Sequence, residues 1–99
     1  MKLIYCTICQ DLVKLKMELT YCECEKSCGK YLEDGLNAIY FGDYAVPLGI
    51  NNFNFVEALK KQPKDGLGKR FEAFIISVEC PTFRKEKFEN NRENCKKGL

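Results

Sequence analysis

The sequence predicts an α+β protein, mostly β, in which a cysteine-rich head is fused to a small antiparallel sheet with one or two short helices. Three observations predict it. Cysteines cluster near the start, with Cys6 and Cys9 in "YCTICQ" and Cys22, Cys24 and Cys28 in "TYCECEKSCGKYLEDG". Short alternating or β-rich runs bounded by Gly, Pro, Asn and Asp follow. A single stretch, "NNFNFVEALKKQP", combines helical spacing with cap and stop signals.

With 99 residues the chain is read as a single domain over 1–99. Within it, residues 1–30 form the head, 31–83 a sheet with a short helix, and 84–99 a charged tail. Hydrophobic residues make up 45% and charged residues 30%, a globular balance rather than a disordered one. The longest apolar runs, "FII" and "AIYF", fall far short of the ~20 residues of a membrane span. No apolar h-region follows Lys2. The expectation is a cytoplasmic protein with no membrane partner.

The elements follow in chain order. Cys6 and Cys9 make a C-x-x-C knuckle, and thirteen residues later comes the C-x-C pair of Cys22 and Cys24. Between them "DLVKLKMEL" alternates as a half-buried strand does. Two cysteine pairs flanking a two-stranded excursion have the form of a zinc ribbon, with four thiolates about 2.3 Å from the metal. The chain contains no histidine, so an all-sulfur site is the complete soft-ligand set it can build. The predicted ligands are Cys6, Cys9, Cys22 and Cys24. Cys24 with Cys28 is the alternative second pair, and an iron–sulfur cluster suits the same ligands. Four thiolates leave no open position, so this zinc is structural. The seven cysteines are an odd count that fits a closed disulfide framework poorly, and Cys28 is expected as a spare thiol.

Further on, Ala38–Phe41 and Tyr44–Leu48 read as strands joined by a tight "GD" turn, with Pro47 placing the second at a sheet edge or ending its pairing. The helix is expected to start at Asn54, with Glu57 at its third position, and to stop before Pro63. Phe55, Ala58 and Leu59 would face the core. "RFEAFIISVEC" reads as the strongest strand and a central one. The tail after Pro81 reads as a docked helix or a frayed end.

Charge is unevenly distributed although the net is only +2. Lys60–Arg70, "KKQPKDGLGKR", sets five basic residues against one acid, and 84–97 sets six against three. Glu18–Asp34 sets five acids against two lysines. In "KDGLGKRF", Gly66 and Gly68 allow close backbone approach, and Lys69 and Arg70 suit phosphate oxygens. This is neither a P-loop nor a dinucleotide fingerprint. Asn51, Asn52 and Tyr31 are candidate contacts to a base or ribose. No base–orienter pair accompanies Cys28, and the adjacent Glu33 and Asp34 suit a turn better than a catalytic dyad. The reading is non-enzymatic.

The succession of the N-terminal cysteines, "CEC" leading into "GKYLEDG", then "YAVPLGINNFNF" and "GLGKRFEAFII", resembles a family of small uncharacterised bacterial and phage proteins over residues 6–83. In the family form C-x-C runs directly into glycine, whereas here Glu25 follows Cys24. Size, loop chemistry and that origin together suggest a non-enzymatic binder of a phosphorylated nucleotide: a phage anti-defence sponge for an immune second messenger in the host cytoplasm, built as a homodimer. The alternatives are a nucleic-acid-binding zinc ribbon and a regulatory protein–protein adaptor.

Overall fold

The computed structural model describes residues 1–88 and 95. Eight strands and one helix are found among them: β1 (Lys2–Cys6), β2 (Leu12–Lys14), β3 (Thr20–Tyr21), β4 (Cys28–Tyr31), β5 (Ala38–Phe41), β6 (Ala45–Ile50), α1 (Asn52–Lys60), β7 (Ala73–Ile75) and β8 (Phe83–Glu86). The class is α+β, mostly β, as the sequence predicts. In place of one small sheet there are two of four strands, ordered β2-β1-β6-β7 and β3-β4-β5-β8. The first is antiparallel throughout, and the second is antiparallel except for the parallel β5–β8 pair.

The head is not a separate layer. β1 pairs on one side with β2 and on the other with β6, Ile4 lying opposite both Val13 and Pro47. One buried cluster draws Ile4, Cys6, Val13 and Leu15 from the first half of the head and Cys22, Ala38, Tyr40 and Phe83 from the second sheet and its approaches. Tyr40 and Phe83 meet edge to face with centroids 5.3 Å apart, a geometry worth about 0.5–1.5 kcal/mol beyond burial. The Lys2 Nζ lies 5.8 Å from the Tyr31 centroid and 6.0 Å from that of Phe83, and it donates to the Thr82 and Leu36 carbonyls.

Several expectations are corrected. β5 and β6 do not form a hairpin: Gly42–Tyr44 carries the chain from one sheet to the other. Gly42 has φ +112, and a Cβ there would run into the Lys26 carbonyl, so this crossing needs glycine. β6 is central rather than an edge strand, and Pro47 instead stands where its pairing with β7 ends. The Pro47 carbonyl accepts from Ile76 N–H at 2.9 Å, and a residue's N and C=O share one side of a strand. The missing N–H therefore faces the end of the β7 pairing, where little ladder is lost.

The helix cap lies three residues earlier than predicted. Asn51 is the cap, its side chain accepting from the N–H groups of Phe53 and Asn54. Asn54 instead ties the helix to the next strand, donating to Glu72 Oε1 at 2.7 Å and accepting from Glu72 N–H at 2.9 Å. Phe55 packs on Phe71 at 4.8 Å, but no helix residue is fully buried and Leu59 is exposed. "RFEAFIISVEC" contributes only the three-residue β7, at a sheet edge with all three residues exposed. Its central place is taken by β6, which has β1 on its other side. Residues 83–86, expected in a docked helix or frayed end, form β8; apart from Cys95, the tail beyond 88 lies outside the described residues. No helix among the described residues is long and apolar enough to cross a membrane.

Candidate metal centre

Two similar turns build the site. In the first, Cys6 ends β1, Gln10 N–H returns to the Cys6 carbonyl at 2.8 Å, and Gln10 takes φ +63. In the second, Glu25 N–H returns to the Cys22 carbonyl at 3.0 Å, and Glu25 takes φ +66. In each turn the residue after the second cysteine is left-handed, the conformation glycine adopts most readily. Asp11 joins the turns, its carbonyl accepting from Cys6 N–H and its carboxylate from Glu23 N–H at 3.0 Å.

The structure brings together Cys6, Cys9, Cys22 and Cys24, with all four Sγ atoms within 4.8 Å of one another. Cys6 and Cys24 lie 3.6 Å apart, and Cys22 and Cys24 3.5 Å. A tetrahedron with metal–sulfur bonds of about 2.3 Å has edges of ~3.8 Å, so the sulfurs stand close to the spacing that a metal ion requires. The set can hold one.

Cys6 and Cys22 are buried and Cys9 and Cys24 partly so, and the environment moves the Cys6 and Cys24 thiols in opposite directions. Burial pushes the Cys6 thiol up, but the Ser27 hydroxyl, the N–H groups of Cys9 and Ile8 and the Cys24 thiol outweigh it and bring Cys6 down to about 6. Burial, helped by the Cys22, Cys6 and Cys9 thiols and opposed by Lys26 N–H, pushes Cys24 up to about 12. Ser27 is fully buried, and its hydroxyl sits beside Cys6 without reaching full hydrogen-bond geometry to any group. Buried hydroxyls normally find a partner, and a metal-bound Cys6 thiolate is an acceptor for this one. Sequence reasoning missed Ser27 and Asp11. Asp11 had a signal, directly following the first knuckle; Ser27 had none.

Cys28 is not a spare thiol. It forms a disulfide with Cys95, and Cys95 N–H donates to the Glu25 carbonyl at 2.7 Å. Cys28 faces this bond because it lies on β4 beyond the turn, outside the sulfur cluster.

The predicted ligand contacts are not gathered into one pocket. Tyr31 lies on β4, where its hydroxyl accepts from Lys2 N–H at 3.0 Å. Asn51 caps α1, and Asn52 accepts from the N-terminal ammonium at 2.9 Å. Gly66, with φ +76, Gly68 and Lys69 border a shallow depression with Phe55 and Phe71. Lys69 bonds Glu57 at 2.6 Å, which raises Lys69 and lowers Glu57 from their ordinary values. Arg70 makes no ion pair among the described residues. Asp34 accepts from the N–H groups of Leu36 and Asn37, the turn role its position suggested.

No protein-family model, curated protein or solved structure matches the chain.

Proposed function

We propose that the protein is a non-enzymatic binding module organised around one structural zinc ion held by Cys6, Cys9, Cys22 and Cys24. The observation that carries this reading is the convergence of four sulfurs to tetrahedral spacing within the core. Zinc fits an all-thiolate set, and four thiolates fill its coordination sphere, so the metal supplies folding free energy rather than chemistry. Work is then done by the surface. Among the binding roles the sequence suggests, protein–protein association is favoured by the exposed apolar side chains of 53–78, including Phe53, Leu67, Phe74 and Ile75.

Elemental analysis of purified protein should find one zinc per chain. Replacement by cobalt should give the thiolate-to-metal absorption of a four-sulfur tetrahedral site. Cys9→Ser should lose the metal and much of the stability, while Cys28→Ser keeps the metal. A protein without metal, or with iron and sulfide, sinks the zinc assignment. A phosphorylated nucleotide that raises the melting temperature of the wild type, but not of Arg70→Ala, would instead carry the nucleotide-capture reading.

A further inference from the structure

Two four-stranded sheets have four edges, and three of them carry features that discourage pairing with another chain. β2, "LVK", includes Lys14 and runs toward Lys16, β3 is two residues long, and β8, "FRKE", carries three charges. Charge and shortness are the devices by which natural edges avoid association. β7 is the exception. Although three residues long itself, it lies in "AFIISV", Ala73–Val78, which contains no charge and no proline.

The ladder shows where its free backbone groups point. Ile76 N–H donates to the Pro47 carbonyl and the Glu72 carbonyl accepts from Asn51 N–H, each at 2.9 Å. Even-numbered residues of this segment therefore turn toward β6, and the N–H and C=O groups of Ala73 and Ile75 turn outward. No described strand pairs with that side.

The side chains around it are uncovered as well. Phe71, Phe74, Ile75 and Val78 are 43%, 53%, 70% and 75% exposed. At roughly 200 Å² for a large apolar residue, they leave about 500 Å² of surface open. A standard interface covers ~800 Å² per partner, a little over half of it apolar. The exposed apolar area is of the order such an interface needs.

We infer that the β7 edge is a homodimer interface, in which two copies pair their β7 strands antiparallel about a two-fold axis at Phe74 and join their β7-containing sheets into one of eight strands. This rests on the protein-binding reading above and is independent of the metal. In that register Ala73 exchanges both backbone hydrogen bonds with Ile75 of the second copy. The two Phe74 rings face each other as a close, non-hydrogen-bonded pair. No like charges meet, since Glu72 falls opposite Ile76, Arg70 opposite Val78, and Lys69 opposite Glu79. An edge complementary to itself selects a second copy of the same chain.

Sedimentation equilibrium of the full-length, metal-loaded protein should give twice the chain mass. Ile75→Pro removes an N–H that faces solvent in the single chain, a position where an edge strand tolerates proline. It should weaken dimerisation at least tenfold while circular dichroism and metal content stay as in the wild type. Ile75→Lys should do the same, bringing like charges together near the axis, whereas Leu67→Lys should leave the dimer intact. A wild type that stays monomeric at high micromolar concentration overturns the inference. A dimer that survives both Ile75 variants, or one broken by Val56→Lys but by neither of them, overturns it too. A metal-free dimer that dissociates on Ile75→Pro would sink the zinc reading and leave the edge pairing standing.

Discussion

Gln10 and Glu25 hold a backbone conformation that costs a side-chain-bearing residue about 1–2 kcal/mol. Glycine avoids that cost but gives up more entropy on folding. Gln10→Gly is therefore expected to stabilise the protein by about 0.5–1 kcal/mol net, read as a rise in the denaturation midpoint with metal content unchanged. The thiols set a second prediction at the same scale. Metal binding must displace the proton of Cys24, pushed up to about 12, whereas Cys6, brought down to about 6, is already largely ionised at neutral pH. Metal affinity should thus rise at least about tenfold per pH unit between pH 7 and 9, and competition with a chelator would measure it. A pH-independent affinity would contradict the proton balance. The four-cysteine cluster was legible because knuckle spacing is a local property of sequence. Ser27 was not legible, since nothing in "EKSCG" says that a hydroxyl will be carried against a cysteine twenty-one positions earlier.

Asn51 and Asn54 show how far an element can be read. Both offer a capping side chain, and the sequence alone favoured Asn54 for its spacing to Glu57. The fold gives Asn54 to Glu72 and Glu57 to Lys61 and Lys69, so the cap falls to Asn51. Asn51→Ala should cost about 1 kcal/mol, measurable by denaturant titration, and Asn54→Ala should loosen the joint between α1 and β7 without shortening the helix. Gly42→Ala is expected to be far more damaging, because the new methyl group meets the Lys26 backbone in a conformation hostile to L-residues. Expression in the soluble fraction and melting temperature would both report it. Strand existence was legible for 38–41 and 45–48, where β-rich runs meet turn residues. Their partners were not, because two adjacent strands with a short connection read alike whether they pair or part into different sheets.

At the scale of the molecule, Cys28–Cys95 closes a loop with a sequence separation of 67 residues. In the chain-entropy view such a loop is worth about 4 kcal/mol. Cys95→Ser should lower stability by roughly 2–4 kcal/mol under oxidising conditions and leave it nearly unchanged when thiol reductant is present throughout. Equal loss in both conditions would mean that the bond itself contributes little. Neither this pairing nor the parallel β5–β8 ladder was legible. "FRKE" has no strand-like alternation, and parallel neighbours are brought together by a long crossover rather than by local pattern.

That late strand bears on synthesis. Phe83 is fully buried and packs on Tyr40, 43 positions earlier, while the cysteine turns lie within the first 25 residues. A chain emerging from the ribosome can form its two cysteine turns early, yet its core stays open on one side until residues 83–86 arrive to complete the second sheet. Metal capture during translation would then hold a half-built protein in register while it waits for its last buried ring.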